Sequence, residues 1–158
     1  MLQVKFKKLH ADAKLPIKGS EHAACFDVYA TSIEKSGPGK TTVGLGFATE
    51  IPTGWKGVIV PRSNLTKHHW TVVNSPGQID SDYRGEWKVI FSSTRENVIF
   101  PYGVGERVAQ IFFEQVNTVE FIEVDELDSS NRGEGGFGST GLSNLTTNIA
   151  DGKINING

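Results

Sequence analysis

The chain has 158 residues, a formal net charge of -2 and one cysteine. The near-neutral balance leaves no strong field for a nucleic-acid backbone or an anionic membrane, and a single thiol, Cys25, excludes an internal disulfide or a multi-cysteine zinc site. With 37% hydrophobic and 22% charged residues and no apolar run of membrane-spanning length, the composition is that of one soluble domain. The first residues, "MLQVKFKKLHADAKLP", alternate apolar and basic side chains and lack the apolar block of a signal peptide. They read as a first strand, and the location as cytoplasmic, in a bacterium or a virus-infected cell. Strand chemistry recurs in "FDVYA", "KTTVGLGFATEI", "GWKGVIVP", "HWTVV", "EWKVIFSS", "NVIF", "RVAQIFFEQV" and "VEFIEV". Short strands at this spacing predict an all-β barrel or sandwich. One stretch suits a helix: in "PRSNLTKHH", Ser63 is placed as N-cap for about a turn and a half. The end of the chain is polar and rich in Gly and Asn. The core is therefore predicted over residues 1–128, with a flexible arm and tail over 129–158.

Several local patterns fail on their own chemistry. "GPGKTT" lacks the first glycine of a phosphate-binding loop, because position 34 is Glu34, and a strand follows it instead of a helix. "GLGFAT" has Thr49 where a dinucleotide-binding turn needs its last glycine. His68 and His69 are adjacent, which is wrong for two ligands on one helical face. "NSPGQIDSDYRG" opens like a calcium loop at Asp80, Asp82 and Gly85. Arg84 and Phe91 then stand where oxygen ligands are required, and the flanks read as strands. The stretch is predicted to be a hairpin in which Asp80 and Asp82 begin the second strand on one face, with Tyr83 on the other.

Five segments carry residues that a plain β domain does not need. Asp27 interrupts the apolar strand "AACFDVYA". "PRSNL" combines Arg62, Ser63 and backbone N–H groups at a helix start, which suit an anion. The hairpin supplies carboxylates beside Tyr83. "GERVAQIFF" puts Gln110 in a strand otherwise destined for the core. "RGEGGFGSTG" is a glycine-rich loop whose amides can approach phosphate oxygens, with Arg132, Ser139 and Thr140 as donors and Phe137 as a stacking ring. Together they can hold a polyphosphate, a sugar and a base, with a carboxylate to orient a water. No Ser-His-Asp set or reactive thiol context supports covalent catalysis.

In this order, over residues 23–141, the segments resemble the five motifs of the trimeric dUTP diphosphatase (dUTPase) family. "GQIDSDYRG" and "RGEGGFGSTG" are the most specific, and the style of "VDELDSSNRGEGGFGSTG" is similar to phage-encoded members. The resemblance implies a distorted, jelly-roll-like β-barrel with one short helix and an extended C-terminal arm. It also implies a homotrimer with shared active sites, a Mg2+ ion, and hydrolysis of dUTP to dUMP and pyrophosphate. That reaction limits uracil incorporation into DNA and supplies dUMP for thymidylate synthesis. Neither membrane nor direct nucleic-acid binding is expected.

By the same resemblance, Asp80 would deprotonate the attacking water, and Tyr83 would pack on the deoxyribose and leave no space for a 2′-hydroxyl. Uracil would be read by the backbone around Asn74, Gly77, Gln78, Ile79 and Lys88, with the Asn74 side chain also able to take part. Arg62, Ser63 and Asn64 would bind phosphates, with Gln110 beside the α-phosphate. Asp27 would act through waters on the magnesium or the phosphate-binding residues. Arg132, Gly138, Ser139 and Thr140 would close over the γ-phosphate while Phe137 stacks on uracil. The family usually has Gly at position 25, Gly or another small residue at 64, and a small or aliphatic residue at 78, where this chain has Cys25, Asn64 and Gln78. Two alternatives share the fold: a regulatory binding module switched by nucleotide, and a dCTP deaminase. Release of pyrophosphate rather than ammonia separates the deaminase, and the intact Asp80 argues against a catalytically dead binding module while leaving a second role open.

Overall fold

Short strands form two main sheets, with consecutive buried residues in Phe47–Glu50 and Trp55–Pro61 and strict alternation only in strands such as Trp70–Val72. In the computed structural model the described residues are 1–93, 95, 98–136, 149–150 and 153–154. In chain order the strands are β1 (Lys5–Lys8), β2 (Ile17–Lys18), β3 (Phe26–Tyr29), β4 (Ser32–Gly37), β5 (Lys40–Gly44), β6 (Phe47–Glu50) and β7 (Trp55–Pro61). After a 3-10 turn at Ser63–Lys67 come β8 (Trp70–Val72), β9 (Gly77–Ile79), β10 (Lys88–Ser93), β11 (Arg107–Gln115), β12 (Ile149–Ala150) and β13 (Lys153–Ile154). One sheet has the order β2-β3-β11-β7-β9 and the other β4-β5-β10-β8, with β1 paired to β6 and β12 to β13. Every pairing is antiparallel. The chain divides into two compact units, Met1–Val119 and Glu120–Gly158. The first is a distorted β-barrel of the jelly-roll kind, as the sequence predicts. No helix among the described residues is long and apolar enough to cross a membrane.

The barrel closes around Trp87, which is 0% exposed and stands just before β10. Its backbone joins both sides of the bend between β5 and β6: Leu45 N–H donates to the Trp87 carbonyl and Trp87 N–H to the Phe47 carbonyl. Its indole N–H donates to Thr49 Oγ1 at 3.1 Å, which satisfies the one polar atom of the ring. The ring lies against Phe47 and Phe113 and covers Gly57 in β7, where a Cβ would sit 2.3 Å from the indole edge.

Several predicted elements change under packing. The run at 40–51 divides into β5 and β6, because Gly46 bends the chain at φ +69 and a Cβ there would lie 2.7 Å from Thr31. The helix at "PRSNLTKHH" is a five-residue 3-10 helix, Ser63–Lys67, of about the predicted length. Its N-cap is Arg62 with no side-chain capping bond, so Ser63 is the first residue inside the turn and not its cap. Val98–Phe100 forms no strand; Phe100 instead stacks edge-on against Trp70 and Phe91. Nor does "VEFIEV" form one: Phe121 is 95% exposed, and β chemistry without a partner edge makes no ladder. The hairpin prediction is half right. β8 and β10 do pair, but between them β9 peels away to join β7 in the other sheet. Asp80 therefore follows β9 and opens a turn closed by Tyr83 N–H on the Asp80 carbonyl, so strict alternation does not apply from 80 to 83.

Gly57→Ala is expected to destabilise the protein by ~1–3 kcal/mol, because a methyl is driven into an immobile indole. Urea unfolding measures this, and an unchanged midpoint would mean that the ring is not held there.

Candidate active site

Asp27 lies in the middle of β3 at 3% exposure, an expensive place for a carboxylate unless cations and donors meet it. Three side chains do so. Oδ1 accepts from Arg62 Nε at 3.2 Å and from Gln110 Nε2 at 3.1 Å, and Oδ2 accepts from Arg107 Nη1 at 3.1 Å. Arg62 also donates from Nη1 to the Arg107 carbonyl at 3.1 Å. Strand register explains the convergence. Gln110 stands directly opposite Asp27, and the Ala109–Pro61 pairing brings the chain to Arg62 one residue later. Arg107 is three residues from Gln110, so a regular strand would point the two to opposite faces. A register shift between Arg107 and Ala109 absorbs one residue and turns both toward Asp27. The sequence reading chose Asp27, Arg62 and Gln110 and missed Arg107, although "GERVAQ" contains it.

Outside this network is a polar cleft of about 320 Å³, whose lining includes Arg62, Asn64, His68, Tyr102, Glu106 and Arg107. Asn64 Oδ1 accepts from the Tyr102 hydroxyl at 3.0 Å. Ser63 is exposed at the start of the 3-10 turn. His68, set aside on sequence grounds, meets the Tyr102 ring edge-on.

A second cleft, of about 260 Å³, belongs to the hairpin and is lined by Asn74, Gln78, Ile79, Asp80, Tyr83, Glu86 and Lys88. The Asp80 carboxylate is exposed and has no partner among the described residues. Asn74 spends its carboxamide on β10: Nδ2 donates to the Lys88 carbonyl at 3.0 Å, and Oδ1 accepts from Ile90 N–H at 2.8 Å. That bridge holds the hairpin open at the point where β9 leaves it. Gly77 pairs with Ile59 and Gln78 with Val58, and a Cβ on Gly77 would lie 2.6 Å from the Asn74 carbonyl. The Tyr83 ring folds back over Gly85, and its hydroxyl donates to the Glu86 carbonyl at 3.1 Å. A Cβ on Gly85 would lie 2.3 Å from that hydroxyl, so the ring occupies space that only glycine leaves. The two clefts share no lining residue.

Arg132 lies in the second unit, where Nε donates to the Gly135 carbonyl at 2.8 Å and Gly133 turns at φ +51. Phe137, Gly138, Ser139 and Thr140 lie outside the described residues. Among the described residues no group of three or more His, Cys, Asp or Glu side chains is placed to hold a metal ion. Both Asp27 oxygens already face cations or an amide. The described residues thus form no protein cage for a divalent ion.

A cationic cleft and a separate hairpin cleft with an unpaired carboxylate, both on an all-β barrel, suit a phosphorylated small molecule. The dUTPase family pattern matches residues 11–141, and the chain belongs to that family. It is 42% identical over 146 residues to a deoxyuridine 5′-triphosphate nucleotidohydrolase of Syntrophotalea carbinolica, covering 89% of this chain and 98% of the relative. It is 44% identical over 142 residues to the enzyme of the same name from Nautilia profundicola, covering 89% and 99%. The dUTPase of Staphylococcus bacteriophage 80alpha, solved with dUPNHPP, superposes with a TM-score of 0.74 at 25% identity over 89% of this chain and 99% of that one. A mutant dUTPase from phage phi11 of S. aureus, described with a structural Mg(II) ion, has the same fold, with a TM-score of 0.67 at 18% identity over 80% and 99%.

Asp27→Ala is expected to lower stability by ~3 kcal/mol, at the low end for a broken buried ion pair because Arg107 is half exposed and can rehydrate. Urea unfolding checks the value, and a loss below that of an ordinary surface substitution would mean that the network holds nothing in place.

Proposed function

We propose that this protein hydrolyses dUTP to dUMP and pyrophosphate, with Asp80 as general base. The observation that carries the reading is the exposed, unpaired Asp80 carboxylate beside Tyr83 in the hairpin cleft, on a chain of the dUTPase family. Asp80 takes a proton from water, the water oxygen bonds to the α-phosphorus, and the bond from that phosphorus to the bridging oxygen of the leaving pyrophosphate breaks. An unpaired carboxylate is suited to this, since no neighbour competes for its lone pairs.

Uracil is read by main-chain groups of Gly77, Gln78, Ile79 and Lys88. A cytosine would place its exocyclic amine against a donor and leave both unpaired. The Asn74 carboxamide, committed to β10, acts by fixing that backbone. Tyr83 stands where a ribose 2′-hydroxyl would be. Arg62, Ser63 and Asn64 take the phosphates, with Gln110 beside the α-phosphate. Arg132, Phe137, Gly138, Ser139 and Thr140 close over the γ-phosphate and the base. Asp27 works through Arg62, Arg107 and Gln110, and reaches a magnesium ion only through water. When bound, that ion neutralises phosphate charge. The nucleotide pool of a bacterial or virus-infected cytoplasm is the place for such an activity.

The assembly is a homotrimer with sites shared between chains. Two features support this. The hairpin cleft and the cationic cleft of one chain are lined by different residues, as a site built from two chains requires. The exposed side chains of Val119, Phe121, Ile122 and Leu127 are apolar surface that association removes from water.

Wild-type protein is expected to release dUMP and pyrophosphate from dUTP, and little from UTP, dCTP or dTTP. Asp80→Asn is expected to retain dUTP binding and lose a factor of roughly 10²–10⁴ in kcat. Ammonia from dCTP, or near-normal turnover by Asp80→Asn, refutes the assignment. For the shared site, Asp80→Asn chains co-assembled with chains truncated before Arg132 are expected to regain roughly a quarter of wild-type activity. That fraction is the chance, about one half times one half, that a site draws its hairpin and its arm from the intact donors in a closed ring. Verified mixed trimers with no recovery would place both elements in one chain.

A further inference from the structure

Position 64 is where this chain departs from the family's small residue, and the structure shows what its side chain does. Asn64 is half buried in the 3-10 turn on the rim of the cationic cleft. Its Oδ1 accepts from the hydroxyl of Tyr102, 38 residues away in sequence. Tyr102 is 9% exposed, and its ring is enclosed by Phe91, Phe100 and His68 at centroid distances of 5.8, 5.6 and 6.3 Å. So enclosed a ring cannot swing, and its hydroxyl marks a fixed point. Burial pushes the hydroxyl pKa above the ordinary tyrosine value, so it stays protonated and donates throughout the working range.

A carboxamide has one acceptor edge and one donor edge. With Oδ1 taken, the edge left is the Nδ2 amine, and no other described residue engages it. Phosphate oxygens only accept hydrogen bonds, so the donor edge attracts them and the acceptor edge repels them. An untethered Asn64 could present either. We propose that Tyr102 is a positioning residue for the reaction: by holding Asn64 Oδ1, it presents Asn64 Nδ2 to the polyphosphate beside Arg62 and Arg107. At a position where the family usually has a small residue, this chain carries a phosphate donor, and the hydroxyl that orients it lies 38 residues downstream. The inference rests on the reading of this cleft as the polyphosphate end of the site.

The test compares full-length wild type, Tyr102→Phe, Asn64→Gly, the double variant and Asn64→Asp. It reads kcat and KM for dUTP, and calorimetric binding of inorganic pyrophosphate and of deoxyuridine. Tyr102→Phe keeps the ring and loses only the tether. Tyr102→Phe and Asn64→Gly are each expected to raise KM and weaken pyrophosphate binding about tenfold, the scale of one hydrogen bond to a charged group, with kcat little changed. The double variant is expected to match either single one, and deoxyuridine binding to stay constant. Asn64→Asp keeps the bond to Tyr102 but replaces the donor edge with an anion, and should bind pyrophosphate more weakly than Asn64→Gly. Three results would overturn the proposal: unchanged KM and pyrophosphate binding in Tyr102→Phe, an undiminished effect of Tyr102→Phe on the Asn64→Gly background, or wild-type pyrophosphate binding by Asn64→Asp. Absence of dUTP turnover in the wild type would instead sink the assigned reaction. Pyrophosphate binding needs no turnover and would still decide the role of Tyr102.

Discussion

A carboxylate set inside a sheet has to be met by positive charge, and Asp27 imposes that condition on everything near it. Its three partners come from different parts of the chain: the end of β7, the irregular start of β11 and the regular part of β11. Each arrival has a backbone cause. The register between β7 and β11 delivers Arg62 at the strand end, where the 3-10 turn begins. The bulge in β11 leaves Val108 and Ala109 both buried in succession and so frees Arg107 to face the same way as Gln110. Without the buried charge there would be no reason for two arginines to gather on one rim, since like charges separate when nothing holds them. The cationic cleft is thus the outward face of an internal electrostatic requirement.

The hairpin is anchored by packing rather than by charge. Trp87 is locked by the bend between β5 and β6, by Thr49 and by Gly57. Its neighbour Glu86 receives the Tyr83 hydroxyl on its carbonyl and the Gly46 N–H on Oε1. The carbonyl that holds the aromatic wall of the hairpin cleft is therefore one residue away from the largest fully buried side chain of the barrel. Interiors packed at crystal-like density move little, and that stiffness reaches Tyr83 through a single carbonyl. The lower edge of the same cleft is held by Asn74, whose carboxamide bridges to β10 while β9 departs for the other sheet.

What could be read in advance follows the same physics. β3, β7 and β11 announce themselves because β-branched and aromatic residues fill strands buried on their inner face. β4, "SIEKSG", escaped because it is a largely exposed strand with almost no apolar signal; its pairing with β5 makes it a strand. β9 is three residues long and follows a proline, too brief for any period to register. "VEFIEV" shows the converse: its residues suit a strand, but the partner edge is missing among the described residues. Asp27, Arg62, Asp80, Tyr83 and Gln110 were legible because their chemistry is out of place in a plain β domain and their motifs are specific. Arg107 was not, since its direction depends on a bulge that no residue advertises. Nor was the pairing of Asn64 with Tyr102, which depends on a contact across 38 residues.

Gly85 gives the hairpin a property that has more to do with inheritance than with energy. The Tyr83 ring stands in the volume that any other residue at position 85 would fill with its first carbon. If that ring is what separates deoxyribose from ribose, the distinction between DNA and RNA precursors is encoded at this position by an atom that is missing. A missense change in the Gly85 codon would then not be a quiet surface change. It would alter which nucleotides the lineage spares and which it destroys, and drift at this codon would surface as a change in the composition of the nucleotide pool.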